Sequence, residues 1–127
     1  RFQDKMALLI LHKIVQRFKK GESPYSSAEI SEELGTGFRV VRNAINALID
    51  AGLVMEVGDS SDKFQQYGPA CDVHDMTVVN VLTRLGDAGS DDYPISRNKT
   101  FKAIEMHQAE VEKAMIASEG NVKLLDI

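Results

Sequence analysis

The chain has 127 residues, a net charge of -4 and a single cysteine. This length fits one domain of ordinary size and excludes two full domains. With one thiol, Cys71, the chain cannot form an internal disulfide or a four-thiolate metal site. The longest apolar stretch, Met6 to Leu11, is far shorter than the roughly twenty residues of a membrane span. The composition therefore predicts a single globular domain from a reducing compartment.

The charge is unevenly distributed along the chain. Residues 1–50 hold eight Lys and Arg against six acids, whereas residues 51–75 hold one Lys against five acids. The first segment therefore carries a charge of +2 and the second a charge of -4. The negative total argues against a general polyanion binder, but the distribution matters more than the sum.

Two helices are predicted in the first 35 residues. The segment Met6 to Lys20 repeats apolar residues at helical spacing and is followed by Gly21, which favours a helix end. Ser26 and Glu29 then have the spacing of a capping box, which marks the start of a second helix. Gly35 is its predicted terminator.

A third helix is predicted from Phe38 to Ala51. One of its faces is apolar, and the opposite face is polar. The polar residues recur at i, i+3, i+4 and i+7, and they are Arg39, Arg42, Asn43 and Asn46. A β hairpin is predicted next, with strands Leu53 to Val57 and Phe64 to Tyr67, and Pro69 is expected to stop it.

The remaining sequence predicts two more helices. Thr77 can cap a fourth helix that lasts until Gly86, and a loop over residues 87–96 follows it. The last helix, ended by Gly120, carries an apolar stripe with Gln108 as its one polar interruption. The residues of this stripe are Phe101, Ile104, Val111 and Met115.

The order of elements predicts a mostly α fold with a small β hairpin, namely a winged helix-turn-helix followed by a C-terminal helix. The expected winged-helix domain covers residues 1–86, with the helix-turn-helix at about 26–51 and the wing at about 53–69. After the loop over 87–96, residues 97–127 should form the C-terminal helix and tail, which pack on the domain or on a dimer partner.

The third helix lies where winged-helix proteins enter the DNA major groove. Arg39, Arg42, Asn43 and Asn46 are therefore the candidate contacts with double-stranded DNA, where they would bind phosphates and base edges. The alternative is an ordinary solvated helix face. Asp50 on this face, together with Asp59 and Asp62 in the wing, would repel phosphates, with only Lys63 in the wing to offset them.

The hairpin exit and the helix after it resemble the cytoplasmic C-terminal winged-helix extension of YihY/BrkB-type bacterial membrane proteins, the family labelled "ribonuclease BN". The segments that carry the resemblance are Tyr67 to Ala70, Thr77-Val78 and Val81-Leu82, with support from Ala7 to His12, Phe38 to Arg42 and Asn121 to Asp126. The sequence has Thr36-Gly37 where that family has Ile-Pro. The resemblance implies a domain on the cytoplasmic side of the inner membrane, joined to a membrane-embedded parent chain. Arg1 in place of Met agrees with an upstream extension.

The same hairpin and helix also resemble winged-helix repressors of the IscR/NsrR type, which sense iron-sulfur status through a cysteine cluster. With Cys71 as its one cysteine, this chain cannot carry that chemistry. The resemblance therefore implies only the fold and dimerisation.

A catalytic or metal site has one compact candidate, the segment Asp72 to Asp75, whose residues fit better as turn and helix caps. His12 and His107 fit packing or surface positions, and Cys71 fits a structural thiol better than a nucleophile. We therefore predict that the chain is not an enzyme and binds no metal or cofactor.

Three functions remain open from the sequence. The first is a regulatory, nucleic-acid-binding module of a YihY/BrkB-like membrane protein. The second is a protein-interaction or dimerisation module that has lost DNA binding, and the third is a free-standing, cytoplasmic transcriptional regulator. In each case we expect a homodimer, because the apolar stripe Phe101, Ile104, Val111 and Met115 is a candidate dimer interface.

Overall fold

The computed structural model describes residues 2–60, 62–88 and 97–127. Within these ranges the helices are α1 (Phe2–Lys19), α2 (Ser27–Leu34), α3 (Phe38–Asp50), α4 (Val78–Ala88) and α5 (Lys99–Ile116), and the strands are β1 (Tyr25–Ser26), β2 (Val54–Val57) and β3 (Gln66–Pro69). The order confirms the predicted fold class, a mostly helical winged helix-turn-helix followed by a C-terminal helix.

Local capping signals mark the start and end of α2 and the start of α4, as predicted. The Ser26 hydroxyl accepts the Glu29 backbone N–H at 3.2 Å, and the Glu29 carboxylate accepts the Ser26 backbone N–H at 3.1 Å, which completes the capping box of α2. Gly35 ends α2 at a φ of 63°, in the left-handed region that favours glycine. The Thr77 hydroxyl accepts the Asn80 N–H at 3.2 Å at the start of α4.

The sheet contains a strand that the sequence pattern does not predict. β1 pairs antiparallel with β3, so the sheet has the order β1-β3-β2. A strand of two residues is too short to show an alternating pattern. The predicted hairpin is confirmed as the β2–β3 pair, but its return strand begins at Gln66, and Phe64 lies in a 3-10 turn over Asp62–Phe64.

Pro69 ends the hairpin as predicted. It is the last residue of β3 and lies opposite Val54. Proline is tolerated there because β1 pairs only with Gln66 and Tyr67. At Pro69, β3 therefore has a neighbouring strand on one side only, and no second partner needs the missing N–H.

Three helix bounds differ from the predictions. α1 begins at Phe2 rather than Met6, α4 continues past Gly86 to Ala88, and α5 ends at Ile116, before Gly120. A glycine costs only about 1 kcal/mol inside a helix, so Gly86 does not have to end one. Most of the predicted loop over 87–96 lies outside the described residues.

α1 is the centre of the hydrophobic core, with Ile10, Leu11 and Val15 fully buried. α2, α3, α4 and the sheet pack their apolar residues against it. The tail after α5 joins the same core, because Leu124 is 2% exposed and its N–H donates to the Met76 carbonyl oxygen at 3.0 Å. α5 itself has no buried residue.

Candidate nucleic-acid interface

Helix α3 separates a buried face from an open one. Val41, Ile45 and Leu48 are completely buried against α1 and the rest of the core, and this burial fixes the rotation of the helix about its axis. As a result, three of the four predicted DNA contacts are exposed on the opposite face, and they are Arg39, Asn43 and Asn46. The predicted polar face of α3 is therefore accessible.

Arg42 occupies a different position from the other three. It is half-buried, and its guanidinium carbon lies 5.8 Å from the centre of the Phe38 ring. Burial raises the pKa of the Tyr67 hydroxyl, and the positive charge of Arg42 opposes this rise. Because it is half-buried, Arg42 lies at a border between the buried and the open face of α3.

Asn43 lies at the other border of the open face. Together with Val40 and Ala47 it lines a cavity of about 460 Å³ between α3 and the start of α1, beside Phe2. Because Arg42 and Asn43 are consecutive, they lie about 100° apart around the helix axis. The predicted contacts thus span a broad surface, with the remaining two between these borders.

Side-chain hydrogen bonds connect the wing to the start of α2. The Ser27 hydroxyl donates to the Lys63 carbonyl oxygen at 3.3 Å. Gln65 is 6% exposed, and its amide donates to the Val57 carbonyl oxygen at 3.1 Å and to that of Gln66 at 3.2 Å. These contacts hold the return of the wing against the first turn of α2.

The wing itself carries little positive charge. Lys63 is exposed, and its ammonium nitrogen lies 5.5 Å from the centre of the ring of Phe64, which is 64% exposed. Glu56 and Asp59 are exposed acids on the same hairpin. Sequence reasoning identified this charge conflict but did not identify Phe64, because it had placed that residue in a strand.

A network of ion pairs fixes α2 against α1. The Arg17 guanidinium lies 3.6 Å from the centre of the Tyr25 ring, and the Tyr25 hydroxyl donates to Glu33 at 2.9 Å. Lys13 donates to the same carboxylate at 2.9 Å, and the hydrogen bonds from Lys13 and Tyr25 lower the pKa of Glu33. Burial raises the pKa of Tyr25. Lys13 and Arg17 are therefore engaged within the fold rather than available to DNA.

The segment Asp72 to Asp75 forms a 3-10 turn. The Asp72 carboxylate accepts the backbone N–H of His74 and contacts its ring Nδ1, both at 2.9 Å, and these hydrogen bonds lower the pKa of Asp72. The cap predicted at Asp72 is therefore confirmed. Across the described residues, no group of three or more His, Cys, Asp or Glu side chains is arranged to hold a metal ion.

The remaining residues that the sequence singled out are Cys71, His12 and His107. Cys71 is half-buried, and Arg84, 13 residues away along the chain, donates to its sulfur at 3.5 Å. The sequence neighbours of Cys71 did not reveal this contact. The His12 ring nitrogen Nε2 lies 3.2 Å from the carbonyl oxygen of Ile127, and His107 is exposed on α5.

The predicted dimer stripe lies along one side of α5. Ile104, Val111 and Met115 are 53%, 60% and 46% exposed, and Phe101 is half-buried. With Gln108, the first three line a groove of about 570 Å³ beside Thr83 of α4 and polar residues of α5. The apolar side chains of the stripe therefore remain accessible in the described part of the chain.

No helix within the described residues is long and apolar enough to cross a bilayer.

Several solved structures of regulators share this fold. CymR (YrzC), the global cysteine regulator of B. subtilis, has a TM-score of 0.66 and 16% identity, covering 99% of this chain and 92% of that one. CymR of Staphylococcus aureus has a TM-score of 0.62 and 14% identity, covering 98% of this chain and 93% of that one. IscR of T. potens has a TM-score of 0.58 and 20% identity, covering 90% of this chain and 77% of that one. No family model matches the chain, and neither does any curated protein.

These likenesses establish the fold of the chain. The predicted similarity to IscR-type repressors is supported at this level, because IscR itself is among the similar structures. None of the comparisons bears on an origin in a YihY/BrkB-type membrane protein, and that origin stays a prediction.

Proposed function

We propose that the chain is a non-catalytic transcriptional regulator that binds double-stranded DNA through α3 as a homodimer. The observation that carries the proposal is the open face of α3, where Arg39, Asn43 and Asn46 are exposed at the position of a recognition helix. Arginine can bind phosphate or guanine, and asparagine can bind adenine. The solved structures with this fold include a transcriptional regulator from Listeria innocua and the global cysteine regulator CymR, which supports the proposal.

The charge distribution predicts modest, salt-sensitive binding. Arg39 is exposed and Arg42 is half-buried, whereas Asp50 and Asp59 are exposed acids nearby in sequence. Phosphate contacts dominate the affinity of most protein–DNA complexes, and acids reduce it. Specific base contacts by asparagine would therefore contribute a larger share than in a strongly basic domain.

Dimerisation would give the protein a second copy of α3, which could contact a second half-site on the duplex. α5 has no buried residue, and its apolar positions Ile104, Val111 and Met115 share one side of the helix. An exposed apolar stripe of this kind is typical of an interface. A second copy is the favoured partner, because a two-fold dimer pairs the same stripe with itself and presents two copies of α3 to DNA.

Binding to labelled duplexes, selected from a random library and measured by fluorescence anisotropy, tests the proposal. We expect Arg39→Ala with Arg42→Ala to weaken binding and to reduce the slope of log affinity against log salt by about 0.9 for each lost phosphate contact. Lys20→Ala with Lys102→Ala removes the same charge elsewhere and is the matched control. If both double variants behave alike, or if the wild type binds no duplex at low salt, the interaction-module hypothesis replaces this one.

The proposed location also needs a test of its own. Attachment to the cytoplasmic side of the inner membrane rests on the resemblance to YihY/BrkB-type proteins, whereas a free-standing regulator would work in the cytoplasm. Reading the complete open reading frame distinguishes the two. Apolar runs of roughly twenty residues upstream would support the membrane-embedded parent, and a start codon directly before this segment would exclude it.

A further inference from the structure

Phe64 is an aromatic side chain that the fold holds in the open. It ends the 3-10 turn Asp62–Phe64 between the two strands of the wing and is 64% exposed. Its immediate neighbours are held in place, because Gln65 is buried and the Lys63 carbonyl oxygen accepts a hydrogen bond from Ser27. An exposed ring on an anchored backbone can contact a ligand without first being ordered, which lowers the cost of binding.

The contacts of the wing connect Phe64 with the proposed DNA-binding surface. Ser27, the first residue of α2, donates hydrogen bonds to the carbonyl oxygens of Lys63 and Gln65, on either side of Phe64, at 3.3 Å and 3.4 Å. In a helix-turn-helix the first helix crosses the DNA backbone while the second helix lies in the major groove. In the proposed complex, the turn that carries Phe64 packs against α2 and would therefore lie beside the DNA backbone, next to the groove that α3 would occupy.

The composition of the wing determines which kind of contact it can make. Lys63 is its one cation, against the acids Glu56, Asp59 and Asp62. Charge attraction to phosphates therefore cannot hold this wing on DNA. An apolar side chain needs no such attraction, because Phe and similar residues can enter the minor groove and partly unstack a base step.

We propose that Phe64 is a minor-groove wedge, which inserts beside the α3 site and bends the duplex, while Lys63 contacts the adjoining phosphate. This inference rests on the proposed function. It makes the apolar, shape-dependent contact of Phe64 the main contribution of the wing, beside the single phosphate contact of Lys63. It also assigns a preference for flexible pyrimidine–purine steps at the flank of the target, because these steps unstack at the lowest cost.

Phe64→Ala tests the wedge, with Phe18→Ala as the matched control, since Phe18 is a similarly exposed phenylalanine (58%) at the end of α1. The probe is a duplex that the wild type selects from a random library, long enough for two half-sites. We expect Phe64→Ala to weaken binding roughly 5- to 150-fold, the range for an aromatic ring stacked on a base, with an unchanged salt slope. Lys63→Ala should lower the slope by about 0.9. Energy transfer between dyes at the two duplex ends should report a smaller bend with Phe64→Ala.

The conservative variant Phe64→Leu keeps an apolar wedge and should retain most of the affinity and bend, which excludes a loss caused by misfolding. The wedge is refuted if Phe64→Ala binds and bends the duplex as the wild type does, or if Phe18→Ala weakens binding equally. It is also refuted if Phe64→Ala changes the salt slope as a phosphate contact would. A wild type that selects no duplex is a separate result, because it overturns the proposed function itself.

Discussion

Replacing Ile104 with aspartate is expected to separate the proposed dimer into monomers. Ile104 lies in the apolar stripe of α5 and is 53% exposed in the single chain. Association through this stripe would bury the exposed half of the side chain. In a two-fold dimer each substitution occurs twice, so the loss is counted in both copies.

The structure gives the size of the effect. Complete burial of an isoleucine side chain is worth about 1.5–3 kcal/mol, so the exposed half contributes roughly 0.8–1.5 kcal/mol in each copy. Two copies lose roughly 1.5–3 kcal/mol, which raises the dissociation constant about 10- to 150-fold. The two introduced carboxylates would also lose water in the interface, and Glu105 and Glu112 add like charge on the same helix. The calculated increase is therefore a lower bound.

Sedimentation equilibrium over a wide concentration range measures the dissociation constant directly. Met106→Asp is the matched control, because Met106 is 71% exposed and lies about 200° around the helix from Ile104. We expect the control to dimerise like the wild type. The stripe is not the interface if the wild type remains monomeric at high concentration, or if Met106→Asp dissociates as readily as Ile104→Asp.

Two further predictions concern stability. Leu124→Ala should lower the free energy of unfolding, measured in urea, by roughly 2–5 kcal/mol, because Leu124 is 2% exposed in the core. Leu125→Ala, at a half-buried position, is the control. If the two variants lose the same stability within error, the tail is not part of the core. Glu33 has a pKa held below its ordinary 4.5 by Lys13 and Tyr25, so its stabilising effect is present above pH 4.5 and is lost as the pH falls through the lower, folded-state pKa. Since Glu33 is exposed, the wild type should be more stable than Glu33→Gln in thermal unfolding by less than about 1 kcal/mol, and this difference should vanish in acid. A stability difference that does not change with pH would refute the role given to the Glu33 carboxylate.

The sequence by itself determined the features that depend on near neighbours in the chain. The capping box of Ser26 and Glu29, the left-handed Gly35 and the amphipathic pattern of α3 act over one to four residues. Hydrogen bonds and side-chain contacts at this separation form in the same way wherever the segment lies. For this reason the element order, and with it the winged-helix fold and the open face of α3, could be predicted before the structure was seen.

The features that only the tertiary structure decided all join distant parts of the chain. β1 forms because Tyr25 lies opposite Tyr67, and Leu124 becomes core because the tail returns to α1 and α4. The position of Phe64 depends on a hydrogen bond between Ser27 and Lys63, which are 36 residues apart. No local pattern records such a contact, because it exists only when packing has brought the two segments together. Local spacing along α3 was enough to select the four candidate DNA contacts. The half-buried position of Arg42 and the exposed ring of Phe64 could not be predicted, because they depend on packing between distant segments.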